Sequence, residues 1–153
     1  MLKHLPVLLA VFTCVLLHAA EEPALDAAKY PQDTAAKALD SIIKALDARD
    51  FGYYVTHMIL PADKERILKK YGTVQKYAEA KSEAAQAEGM KNMADVLKGL
   101  QKESKQTEGE TGDVKWTRFD AGREKLQLEK LPDGRWAMNL RPLAEAPKEA
   151  SKK

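Results

Sequence analysis

Cysteine occurs once in these 153 residues and histidine three times. Cys14, His4 and His18 all fall within the first twenty positions, so the rest of the chain has no thiol and a single imidazole, His57. That scarcity excludes a good deal of chemistry. Zinc and iron sites draw mainly on Cys and His, so no metal site is expected and no cofactor is implied. A cysteine nucleophile is ruled out beyond residue 20, as are disulfides. A serine triad would need His57 beside Ser41, Ser82, Ser104 or Ser151, and none of these lies in a nucleophile-elbow pattern. Gly109 and Gly112 lack the Gly-Lys-Ser/Thr continuation of a phosphate loop. No alternating Asp/Asn calcium loop occurs either.

An excess of one charge sign is also missing. Lys and Arg number 25 against 23 Asp and Glu, and they are interspersed, which gives nucleic acid or an anionic membrane no footing. Long apolar runs are limited to one, Leu5 to Leu17. At about 13 residues it falls short of the roughly 20 that span a bilayer as a helix.

That run has a recognisable setting. A basic start (Met1-Leu2-Lys3-His4) precedes it, small residues (Ala19-Ala20) follow it, and Glu21-Glu22-Pro23 opens a polar chain. The order predicts a signal peptide over 1–20, cleaved near Ala19 or Ala20. The expected location is therefore secreted or periplasmic, with no stable membrane insertion after cleavage. Roughly 133 residues would remain, a single domain by size and large enough for a core without disulfides.

Residues 21–33, with Pro23 and Pro31, read as a flexible leader. Asp33 or Thr34 then offers an N-cap, and Leu39, Ile42, Ile43 and Leu46 fall at i, i+3, i+4 and i+7 on one helix face. Tyr53 to Leu60 is aromatic-rich, helical or irregular. Pro61 and Gly72 bracket another helix. Thr73 caps the next, whose inward face (Val74, Tyr77, Ala78, Ala84, Ala85) is mostly alanine. Met90, Met93, Leu97 and Leu100 stripe a further helix, with Gly89 either a break or an interior position. Residues 108–113 read as a loop. Alternation then predicts three strands, the first carrying Val114 and Trp116, the second Leu126 and Leu128, the third Trp136, Met138 and Leu140. Leu131-Pro132-Asp133-Gly134-Arg135 is the turn between the last two. The expectation is an α+β domain over 34–141, helices within 34–105 packed on a three-strand antiparallel meander within 113–141, followed by a disordered tail over 142–153.

An apolar-striped helix, shorter helices, then strands ending in Leu131-Pro132-Asp133-Gly134-Arg135-Trp136 resemble small secreted bacterial proteins of the nuclear-transport-factor-two-like, or cystatin-like, α+β roll. The resemblance implies a sheet curled around the first helix and a conical pocket on its concave face.

Two sets of residues are candidates for function. Asp50, Tyr54 and His57 share a face if their segment is helical, so Asp50 or a tyrosine would orient His57 as a general base. Tyr53, Tyr54, Trp116 and Trp136 are the candidate ligand-binding aromatics. Each has a plainer reading as packing, and for Trp116 and Trp136 that means lying under a helix. The expected function is a non-catalytic binding or accessory protein, holding an unidentified small ligand or protein partner on the concave sheet face. The alternatives are a small isomerase- or dehydratase-type enzyme centred on Tyr54 and His57, and a helical interaction module over Tyr53 to Lys105. Oligomeric state is not legible in the sequence.

Overall fold

The computed structural model describes residues 22–80 and 83–141. The expected signal peptide, with Cys14, His4 and His18, and the expected tail over 142–153 lie outside the described residues. Within them the chain is an α+β domain: helices first, then a four-stranded antiparallel meander.

Helix α1 (Ala35–Asp47) begins where Thr34 Oγ1 accepts the Lys37 N–H at 3.2 Å, satisfying one of the orphan donors of the first turn. Its apolar stripe is wholly buried: Leu39, Ile42 and Leu46 are at most 2% exposed. The helix ends in a Schellman turn. Asp50 N–H reaches back to Ala45 O and Arg49 N–H to Leu46 O, with Arg49 in the left-handed region at φ 57°. One helical turn, α2 (Phe51–Tyr53), is capped by Asp50 and runs into a π-helical segment, Tyr54–Met58. Helix α3 (Pro61–Tyr71) starts on proline and stops on Gly72, whose φ of 84° suits a residue without Cβ. Asp63, buried in its first turn, accepts from the Leu140 N–H at 2.9 Å and from Arg66 at 3.0 Å, tying α3 to the end of the sheet. Helix α4 (Val74–Glu79) is capped by Thr73 and buries no residue fully. Helix α5 (Glu83–Glu103) follows, and Gly89 lies inside it rather than at a break.

The sheet runs β1 (Lys105–Thr111), β2 (Val114–Ala121), β3 (Glu124–Lys130), β4 (Trp136–Asn139), each paired to the next. There are thus four strands, not three, and the expected loop at 108–113 is mostly β1. That strand is exposed along nearly its whole length, so it carries no apolar alternation to read. The hydrogen-bonded ladder to β2 and the Trp116 indole laid across it hold it.

The inner face carries Thr117 and Phe119 of β2, Leu126 and Leu128 of β3, and Met138 of β4, all buried. Leu128 sits opposite Thr117 on one side and Met138 on the other. Helix α1 packs on β3 and β4, and α5 on β2 and β3. Their side chains fill this face. The far edge of β4 is also closed: Trp136 N–H donates to Gln32 O, and Leu60 N–H to Met138 O.

Residues 22–33, expected as a flexible leader, are bound to the domain. Tyr30 is 1% exposed, Gln32 donates to the carbonyls of His57 and Trp136, and Glu22 pairs with Lys64 at 2.7 Å. Among the described residues no helix is long and apolar enough to cross a membrane.

Candidate functional site

The expected acid/base constellation is adjacent in sequence but directed elsewhere. Tyr30, Tyr53 and His57 stack in a column, with ring centroids 4.5 Å and 4.7 Å apart. Tyr53 is buried; its hydroxyl accepts from Asp26 N–H and donates to Asp26 O. His57 Nε2 donates to Pro23 O at 2.5 Å. Asp50 accepts from Tyr30 Oη, Lys29 Nζ and the Tyr53 N–H. Apart from the Tyr53–His57 ring contact and the Asp50 cap on the Tyr53 N–H, these contacts fasten the 22–33 stretch to the helices. Tyr54 turns the opposite way, its hydroxyl donating to Met93 Sδ at 3.5 Å. Among the described residues, no carboxylate meets His57 and no contact joins it to Tyr54.

The two tryptophans are separated as well. Trp136 lies on the inner face, half-buried against the core. Trp116 does not pack under a helix. In the strand alternation it opposes Thr117 and Phe119, so it stands on the outer face, its indole against Gly109 and its Nε1–H on Thr111 Oγ1. Gly109 is required there, because a Cβ would sit 2.2 Å from the indole. Beside it Arg118, Gln127, Glu129 and Asn139 form a chain of hydrogen bonds across β2, β3 and β4. That is a polar surface bonded largely to itself, with Arg118 Nε left without a partner among the described residues. Tyr53, Tyr54, Trp116 and Trp136 therefore share no common space.

Open space lies among the helices. A cleft of about 230 Å³ is lined by Leu46 of α1, Phe51 of α2, Tyr54 and Val55 of the π segment, Tyr77 of α4, and Met90 and Met93 of α5. Its wall is apolar and aromatic, and the lining includes Gly89. Phe51 and Gln86 also border a larger opening of about 440 Å³, whose remaining wall includes Arg49, Thr56, Gly72, Val74 and Gln75. Gln86 Nε2 and Thr56 Oγ1 are buried with no hydrogen-bond partner among the described residues. An apolar floor with a few polar atoms at its rim is the usual build of a small-molecule site.

The cleft has a local cause. Helix α4 and the first turns of α5 carry alanine and glycine where bulkier residues would close the space, Ala85 and Gly89 at the cleft and Ala78 and Ala84 at the adjoining openings. Tyr77 instead packs on Phe51 at 5.4 Å and on Tyr71 at 4.8 Å, so the aromatics form a wall rather than a plug. Met93, expected in the core stripe, sits at the rim; Met90, Ala94, Leu97 and Leu100 are the buried positions of α5. Of the residues lining the cleft, the sequence singles out Tyr54 as a candidate and gives no such sign for Phe51, Tyr77 or Gln86. The signal that was present is the alanine face.

Burial pushes the Tyr54 phenol far above its ordinary range, with smaller contributions from Tyr77 and Asp63. A phenol whose folded-state pKa is raised contributes stability that is intact below its unfolded pKa of about 10 and is lost as pH rises beyond it. In an alkaline absorbance titration of the five tyrosines, Tyr54 is expected to ionise last, concurrently with unfolding. Tyr54→Phe should remove that late step; an early, reversible loss of one phenolic proton on substitution would contradict the buried placement.

Among the described residues no group of three or more His, Cys, Asp or Glu is placed to hold a metal ion. No protein-family model matches the chain, and neither a curated protein nor a solved structure matches it.

Proposed function

We propose that this chain is a non-catalytic, exported binding protein that holds a small apolar ligand in the cleft between its helices. The observation that carries the reading is the contrast between two faces. The sheet's inner face is covered by α1 and α5, whereas Phe51, Tyr54, Tyr77, Met90 and Met93 line a space that no described side chain occupies. The ligand site thus moves from the concave sheet face to the helical side. Methionine and aromatic walls adapt to differently shaped apolar guests.

Catalysis by Tyr54 and His57 has little support, since one hydroxyl is spent on a thioether and the imidazole on a backbone carbonyl. Export rests on the 1–20 pattern, and the resemblance to the α+β roll on a first helix laid across an antiparallel sheet.

N-phenylnaphthylamine, a neutral apolar fluorophore, tests the reading. The folded protein is expected to bind it saturably with one site per chain and micromolar affinity, the range of a modest apolar contact. A linear, non-saturating signal would refute the cleft as a site.

A further inference from the structure

Resting on the cleft as the binding site, we propose that its ligand is a monoanion: an apolar or aromatic body carrying one carboxylate or sulfonate-like head, which Arg49 receives. Arg49 borders the larger opening and a second one formed by Glu83, Ala84, Gln86, Ala87 and Met90. These openings share Phe51, Gln86 and Met90 with the apolar floor, so a molecule seated on that floor extends its polar end toward the guanidinium. Among the described residues Arg49 is the sole cation lining the three spaces. Among the described residues no acceptor pairs with it, although eight ion pairs form elsewhere. The carboxylates nearby do not neutralise it: Asp50 is held by Lys29 and Tyr30, and Glu22 by Lys64. Glu83 lines the second opening with Arg49, and among the described residues the two form no ion pair. An Arg fork matches a planar two-oxygen anion, and the Gln86 amide and Thr56 hydroxyl, buried in the wall of the larger opening with no partner among the described residues, are further donors beside it.

The backbone gives a second, independent reason. Arg49 occupies the left-handed C′ position of the Schellman turn, where glycine is the favoured residue. An arginine there carries a conformational cost that glycine would remove, and its long side chain is what the chain gains in exchange. Strain retained at one residue beside a cleft points to a task for that residue.

The test compares two fluorophores that differ by one charged group, neutral N-phenylnaphthylamine and its sulfonated relative, anilinonaphthalene sulfonate. Both are titrated into the parent protein, Arg49→Gly and Arg49→Lys, and all three are melted in parallel. The parent is expected to prefer the sulfonate at least fivefold. In Arg49→Gly that preference falls about five- to tenfold while the melting temperature does not drop, since glycine suits the turn; Arg49→Lys retains most of it. A preference unchanged in Arg49→Gly, or a parent that binds the neutral probe more tightly, overturns the anionic ligand while leaving the cleft intact. If neither probe binds, the cleft reading and this inference fall together.

Discussion

Ile42→Ala is expected to destabilise the domain by about 2–5 kcal/mol, measured by denaturant unfolding with an unchanged m-value. Ile42 is fully buried in the middle of α1, the helix that lies over β3 and β4 and against α5. Removing its branched side chain deletes the transfer energy of three carbons and leaves a hole between a helix and a sheet, two rigid surfaces that collapse poorly. The lower end applies if the surrounding side chains relax inward, the upper if they do not. The outcome bears on function as well as stability. A loss below about 1 kcal/mol would mean that the space between α1 and the sheet is already loose, and a ligand would then have room on the inner sheet face after all.

Gly89→Leu should act in the opposite sense on stability and strongly on binding. A Cβ built on Gly89 meets nothing within 4 Å, and the residue lies inside α5 at the wall of the 230 Å³ cleft. Replacing an interior helical glycine gains up to about 1 kcal/mol of helix propensity. The new side chain projects from the wall and occupies the space a ligand would take. The expected result is a melting temperature equal to or above the parent's and a loss of at least tenfold in affinity for N-phenylnaphthylamine. Undiminished binding in this variant would place the ligand elsewhere. The outer sheet face around Trp116 would then be the first place to look.

Where the sequence was informative, burial on one side of an element was the reason. The stripe Leu39, Ile42, Ile43, Leu46 marks α1 because that helix has one wet face and one dry one. Pro61 and Gly72 mark the ends of α3 because their backbone preferences act locally. Leu126 and Leu128 mark β3 in the same way. Strand β1 was illegible because Lys105 to Thr111 is polar on both sides, and its pairing with β2 is a property of the partner. Trp116 was assigned to its correct neighbours but the wrong side. Alternation tells which residues share a face, and only the helices' position tells which face is covered. The π segment at Tyr54–Met58 leaves no mark in spacing, yet it sends Tyr54 toward α5 and His57 toward Pro23. The cleft draws residues from six helical elements spread over Leu46 to Met93, with Leu140 closing it. No local pattern encodes such an assembly.

Methionine-methyl NMR locates the ligand directly, because the four methionines beyond Met1 divide between the two faces. Met90 and Met93 line the helical cleft, whereas Met58 and Met138 are buried in the core against β4. On titration with N-phenylnaphthylamine, the Met90 and Met93 methyl signals are expected to shift in step with the fluorescence while those of Met58 and Met138 stay in place. Shifts confined to Met58 and Met138, with Met90 and Met93 unmoved, would contradict the account.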